Sequence, residues 1–194
     1  MAEHPSPPAP AAPPRLGTVT WVRAVDHPEL LAGPVHAALL EWAHHDPSVS
    51  DQVHVAEIDP TVSDTAAMSE QYDIPMHASV NCVLVAGKRE GVERTAAAAV
   101  RASTRADVNG TIKRLLDVRK ASFVPTERAV DESGMEYGGI TPIGLPSGWL
   151  VLLDAAARDG WIVIGSGVRR SKIALPGDLL ATLRGVQVVE DLAR

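Results

Sequence analysis

The sequence has few of the residues that cross-link a chain or anchor it in a membrane. It holds one cysteine, one phenylalanine and two tyrosines in 194 residues. A lone cysteine, Cys82, cannot form an internal disulfide or build a cysteine-rich zinc site. No apolar run approaches the roughly 20 residues of a membrane-spanning helix. These absences exclude a disulfide scaffold, a zinc finger and a transmembrane protein, and they leave a soluble domain that we expect to be cytoplasmic.

Histidines and aromatic residues are too scattered to suggest a metal site or a nucleic-acid stacking platform. No two histidines have the i, i+4 spacing of a helical zinc site, and the sequence contains no His-Glu-x-x-His motif. A Gly-x-Ser-x-Gly nucleophile elbow is also absent. We therefore expect no metal and no cofactor.

Charge is distributed unevenly along the chain. The formal net charge is −6, yet no Lys or Arg occurs between Ala24 and Gly87, where ten acidic residues lie. From Lys88 onward, 16 basic residues face 13 acidic ones. This asymmetry excludes a uniformly basic nucleic-acid binder but allows a polyanion to meet the C-terminal part locally. Solvated surface alone would also explain it.

The pattern of elements predicts a proline- and alanine-rich disordered tail over 1–16 and one α+β domain over 17–194. Helical periodicity over 35–42 and a Thr61-x-x-Asp64 start each predict a helix, and a further short helix is predicted over 126–133, with Gly134 directly after its end. Alternating or β-branched runs predict strands over 53–58, 80–86, 95–101, 121–124, 150–153, 161–164, 172–175 and 186–189. The strands are short, mixed with helices and partly joined by a hairpin, so α+β is favoured over a regular parallel array.

Two glycine-rich loops are the candidates for a binding site. The first, Gly138-Gly-Ile-Thr-Pro142, combines conformational freedom with fixed prolines, so its backbone N–H groups could hold a carbonyl or ribose. The second, Gly165-Ser-Gly-Val-Arg169, follows a strand and could form an anion nest. It lacks the third glycine of a dinucleotide fingerprint. Both loops could instead be plain connectors.

The order of motifs resembles the YbaK-like prolyl-tRNA editing family. The motifs are Tyr137-Gly-Gly-Ile-Thr-Pro-Ile-Gly, a strand ending in Asp154, the loop Gly165-Ser-Gly-Val-Arg169, and Leu175-Pro-Gly-Asp-Leu. The resemblance covers about residues 53–192. It implies an α+β fold with a mixed, barrel-like sheet and flanking helices. It also implies hydrolysis of the ester that joins a wrong amino acid, such as cysteine or alanine, to tRNA.

The resemblance assigns roles to particular residues. It implies catalytic roles for Asn81 and Asp154. It implies that substrate is bound by Gly138, Gly139, Ile140, Thr141, Pro142, Gly165, Ser166, Gly167 and Arg169. Asn81 stands where the well-known deacylases carry a lysine, so this position keeps hydrogen-bonding capacity but loses the charge.

Three functions follow as hypotheses. The leading one is a deacylase that acts in trans on mischarged tRNA and contacts the tRNA acceptor end, with an aminoacyl-tRNA synthetase as a possible partner. The alternative is a non-catalytic aminoacyl-tRNA or small-ligand binding module that kept the pocket and lost turnover. The third is an unrelated α+β domain in which the glycine loops are only connectors. The first two require Asn81 and the two glycine loops to line one cleft.

Overall fold

The computed structural model describes residues 13–194. The expectation of a disordered tail falls mostly on residues 1–12, which lie outside this range, so the division at residue 16 stays a prediction. None of the helices in the described part of the chain has the length and apolarity needed to span a bilayer.

Nine strands and six α-helices form within the described residues. The strands are β1 (Val22–Arg23), β2 (His54–Glu57), β3 (Val80–Arg89), β4 (Val92–Arg101), β5 (Ala121–Phe123), β6 (Leu150–Asp154), β7 (Trp161–Gly165), β8 (Ser171–Pro176) and β9 (Val186–Val189). The helices are α1 (Gly33–His45), α2 (Ser48–Gln52), α3 (Thr65–Tyr72), α4 (Lys113–Leu116), α5 (Thr126–Ser133) and α6 (Gly177–Leu180).

The strands make two sheets. One sheet is antiparallel throughout, with the order β1-β2-β8-β7. The other has the order β5-β3-β4-β6-β9 and is mixed, because β4 pairs with β6 and β6 with β9 in parallel. A parallel bridge between Ser79 and Val163 connects the start of β3 to β7. The α+β class with a mixed sheet is thus confirmed, and its strands are divided between two sheets.

Two local features of the sequence place the elements around this junction. Asp64, not Thr61, caps α3, because its carboxylate accepts the Ala66 N–H at 3.0 Å. The β3–β4 hairpin turns at Glu90-Gly91, where both residues have positive φ. The predicted helix over 126–133 is confirmed, and Gly134 ends it with a φ of 66°.

The core joins both sheets to α1. Val35, Leu39 and Trp42 on one face of α1 are buried against the cluster that includes Ile164 and Ile173. Four consecutive alanines of β4, residues 96–99, are also buried, and they alternate between the core clusters on the two faces of the sheet. Because β4 is covered on both faces, small side chains there let the layers approach closely.

Candidate functional site

A cleft of about 300 Å³ opens where the two sheets meet. We call it the junction cleft. Its walls come from the start of α3, the start of β3, the first glycine loop, the end of β7 and the start of β8. It is lined by Ser63, Asp64, Thr65, Met68, Ser79, Val80, Asn81, Cys82, Tyr137, Gly138, Ile140, Val163, Ile164, Gly165 and Lys172.

Four of the residues singled out from the sequence line this one cleft: Asn81, Gly138, Ile140 and Gly165. They come from β3 and from both glycine loops, and β3 precedes the first loop by more than 50 residues in the chain. The fold therefore brings the three predicted elements together.

Asn81 presents donor groups toward the cleft. Its side-chain oxygen accepts a hydrogen bond from Thr65 Oγ1 at 2.9 Å. Because the oxygen is engaged, the amide NH2 is oriented as the free end of the side chain. Within residues 13–194, that NH2 donates to no protein acceptor, so it is available to a ligand oxygen.

The two glycine loops pack directly on each other. The Gly167 N–H donates to the Gly139 carbonyl at 2.7 Å, and the Gly139 N–H donates to the Glu136 carbonyl at 2.9 Å. A Cβ on Gly165 would lie 2.2 Å from the Gly139 carbonyl oxygen, so only glycine permits this approach. The N–H groups of Gly139 and Gly167 are thus used within the protein, and the polar groups facing the cleft are mainly side chains.

Arg169 ties the first glycine loop to the segment before α3. Its Nη1 donates to the Tyr137 carbonyl and its Nη2 to the Pro60 carbonyl, both at 3.1 Å. Its guanidinium also lies 5.8 Å from the centre of the Tyr137 ring. Gly138, with a φ of 81°, leaves the space that Arg169 and Ser63 occupy beside it. Arg169 therefore stands beside the cleft with its donors largely engaged.

The remaining predicted residues lie outside the cleft lining. Ser166 is fully buried, and its hydroxyl bonds the Ser171 side chain at 2.7 Å. Asp154 caps the turn after β6 by accepting the Ala156 N–H at 2.8 Å. Thr141 is fully buried and unpaired. Pro142 lines a separate cleft of about 510 Å³ beside Trp42.

Lys172 lines the cleft but is not among the site residues predicted from the sequence. It lies on β8 opposite Ala56 and is only 6% exposed. Its Nζ donates to the Ser63 carbonyl at 3.1 Å and to the Gly138 carbonyl at 3.0 Å. The sequence contains one indication of its role: Lys172 precedes the apolar run Ile173–Leu175 in a predicted strand. Lysine is rarely buried without a reason, so a lysine in such a strand is a candidate site residue.

The environment of Lys172 destabilises its charge. Burial, followed by repulsion from Arg169, lowers the pKa of Lys172 to about 8, while Asp64 acts in the opposite direction. Among the described residues Lys172 forms no salt bridge. The hydroxyls of Ser63 and Ser79, both buried in the same lining, also have no hydrogen-bond partner. The floor of the cleft thus holds unsatisfied polar groups next to a cation.

Cys82 also lines the cleft, where its environment disfavours the thiolate form. Burial raises the pKa of its thiol to about 12. At neutral pH it is therefore a protonated thiol, and the thiolate is the reactive form.

Comparisons with known proteins agree with this architecture. The family described as "Aminoacyl-tRNA editing domain" matches residues 59–183. Among curated proteins, no sequence matches the chain significantly. The crystal structure of hypothetical protein APE2540 is 15% identical, covers 81% of this chain and 99% of its own, and superposes with a TM-score of 0.68. A candidate trans-editing enzyme for prolyl tRNA synthetase is 16% identical, with coverages of 82% and 97% and a TM-score of 0.65.

Proposed function

The chain belongs to the aminoacyl-tRNA editing domain family, and on that premise we propose that it hydrolyses the ester of mischarged tRNA in trans. The observation that carries this proposal is the convergence of Asn81 and both glycine loops on the junction cleft. The solved structure described as a candidate trans-editing enzyme supports the fold on which such chemistry would occur. An aminoacyl ester is already activated, so positioning of water and stabilisation of charge supply much of the catalysis.

The reaction requires no covalent intermediate with the protein. The oxygen of a water molecule bonds to the ester carbonyl carbon, and the carbonyl oxygen takes the negative charge. The tetrahedral intermediate collapses when the bond from this carbon to the ribose oxygen breaks. One proton of the water ends on the ribose oxygen, and the other is released when the carboxyl group of the free amino acid ionises. Donors that face the carbonyl oxygen lower the barrier to this step.

The dimensions and polarity of the cleft favour a small aminoacyl group. Its volume of about 300 Å³ lies at the lower end of the roughly 300–1,000 Å³ typical of ligand pockets. Met68, Val163 and Ile164 supply apolar wall, and Asn81 supplies an amide NH2. We propose that the substrate is a cysteinyl or alanyl ester of the tRNA(Pro) class.

A basic segment, residues 105–120, is proposed to bind the tRNA. Five basic side chains between residues 105 and 120 have no hydrogen-bond or ion-pair partner among the described residues. They are Arg105, Lys113, Arg114, Arg119 and Lys120. The Lys120 backbone packs against Gly87 of β3, which is about 20 Å along the strand from the cleft. This spacing suits an acceptor stem whose terminal nucleotide enters the cleft. A synthetase partner remains part of the proposal.

Charged tRNAs test the function. Purified protein is incubated with Cys-, Ala- and Ser-charged tRNA(Pro), with correctly charged prolyl-tRNA as the control, and the released amino acid is measured. We expect release above the spontaneous rate for a small non-cognate amino acid and little for proline. Absence of release from every charged tRNA would refute the enzyme. Tight binding of charged tRNA without release would support the binding module instead.

A further inference from the structure

We propose that Lys172 is a catalytic residue of the junction cleft and holds the ester carbonyl oxygen, supplying from β8 the positive charge that position 81 lacks. This inference rests on the proposed deacylase function. Asn81 on β3 carries no charge, and Lys172 is the one Lys or Arg among the described residues that line the cleft. Lys172 belongs to the other sheet, and both residues line the same cleft.

The hydrogen bonds of Lys172 leave one donor for a ligand. An ammonium group has three N–H donors. Two are directed to the Ser63 and Gly138 carbonyl oxygens at 3.1 and 3.0 Å. These two contacts fix Nζ against the start of α3 and the first glycine loop. The third donor has no protein acceptor among the described residues, so it can meet an oxygen in the cleft.

The charge of Lys172 is also left without a protein counter-ion. No carboxylate lies within ion-pair distance among residues 13–194, and the nearest groups of its own loop include the cationic Arg169. A structural lysine normally reaches solvent or a carboxylate, since burying an unpaired cation is costly. Lys172 does neither, so a ligand oxygen that gains negative charge would complete its environment.

The surrounding hydroxyls support a ligand rather than a packing role. Ser63 and Ser79 are 3% and 2% exposed, line the cleft, and have no hydrogen-bond partner within residues 13–194. Buried hydroxyls are nearly always hydrogen-bonded in folded proteins. Two unpaired hydroxyls beside a lysine with one free donor therefore indicate a polar ligand.

The carbonyl oxygen fits this position better than a phosphate of the tRNA backbone. Lys172 is buried at the floor of a small cleft, whereas Asn81 and Asp64 are exposed at its rim. The aminoacyl group is the terminal part of the substrate and is expected to reach deepest. A donor that meets the developing oxyanion acts on kcat, while a phosphate contact acts on KM.

Single-turnover and steady-state release assays test the assignment, with the charged tRNA that wild-type protein hydrolyses. Lys172→Met keeps the linear side chain and removes the charge. We expect kcat to fall about 10²- to 10³-fold, the effect of removing one oxyanion donor, with KM nearly unchanged. Lys88→Met, an exposed lysine at the far end of β3 from the cleft, is the matched control and should keep kcat and KM.

A relocated charge separates catalysis from packing. In the double variant Asn81→Lys/Lys172→Met, a lysine enters the cleft from the opposite wall, and we expect it to restore most of the lost kcat. Circular dichroism checks that each variant is folded. The proposal is overturned if Lys172→Met keeps kcat, if the loss is in KM alone, or if the double variant is no better than the single one. Absence of release by the wild type would instead refute the deacylase function.

Discussion

Replacement of Lys172 by methionine should change how the stability of the protein depends on pH. Burial and repulsion from Arg169 lower the pKa of Lys172 from 10.5 to about 8 in the folded protein. This difference means that folding disfavours the charged amine by about 3 kcal/mol. The charged groups that act on its titration are Arg169, which lowers the pKa, and Asp64, which raises it.

The direction of the effect follows from proton binding. Below about pH 8 the amine is charged in both folded and unfolded chains, so the full cost of burying it is present. Between about pH 8 and 10.5 the unfolded chain holds more protons than the folded one, and the free energy of unfolding rises with pH. Methionine at this position has no charge to lose, so the variant lacks this rise.

Urea denaturation followed by circular dichroism measures the effect. The free energy of unfolding of the wild type minus that of Lys172→Met should increase by about 3 kcal/mol between roughly pH 7 and pH 10.5. Subtracting the variant cancels the titration of all other groups. Lys120→Met, at an exposed position, should show a difference that is flat with pH. A flat difference for Lys172→Met as well would show that this amine is not held in a desolvated, cationic site.

Four further predictions concern the cleft and its surroundings. Asn81→Ala should lower amino-acid release by about tenfold or more because the free amide donors are lost, while Gln187→Ala, at an exposed position of β9, should leave it unchanged; equal rates for both would remove Asn81 from the site. Asp154→Ala should lower the free energy of unfolding by about 1 kcal/mol, because the side chain that caps the turn after β6 is lost. Asp154→Asn should keep both this cap and the rate of amino-acid release. A large loss of kcat in Asp154→Asn would instead make this carboxylate catalytic. Gly165→Ala should lower the free energy of unfolding by about 1–3 kcal/mol and reduce amino-acid release, because its Cβ would meet the Gly139 carbonyl oxygen at 2.2 Å. Gly33→Ala is the control, since nothing lies within 4 Å of a Cβ at that position. Equal melting temperatures for the two variants would contradict the packing argument. Arg119→Ala/Lys120→Ala should weaken tRNA binding and reduce its salt slope by about 2; an unchanged slope in a filter-binding titration would place the tRNA elsewhere.

Local signals in the sequence predicted many of the elements well. The helix over 126–133 and the strand over 186–189 have the predicted bounds. Their ends are set by local chemistry, such as a glycine with positive φ at 134. The sequence places the start of α3 at Thr61. A capping-box spacing does not tell which of its two polar residues accepts the first free N–H of the helix. In the structure Asp59 caps a short turn first, and Asp64 then caps the helix.

The sequence predicts that Asn81 and the two glycine loops converge, but it does not reveal that two of the loop N–H groups are used within the protein. The sequence suggested that the loop N–H groups face a ligand. The structure shows that Gly139 and Gly167 use theirs within the protein, since the loops pack on each other. A hydrogen bond between the two loops depends on a contact between residues far apart in the sequence, and the local sequence pattern cannot reveal it. The same limit applies to Lys172, whose burial is decided by α3 and the first glycine loop.

The bridge between Ser79 and Val163 has a consequence for the shape of the cleft. Apart from this one pair of residues, the two walls of the cleft belong to separate sheets: Asn81 to one, Gly165 and Lys172 to the other. The gap between the walls is therefore fixed by how the two sheets pack against each other rather than by any single loop. Larger side chains in the alanine run of β4, which pairs with β3, would shift the sheets and change the width of the cleft. That width is thus a property of the packing of the whole domain.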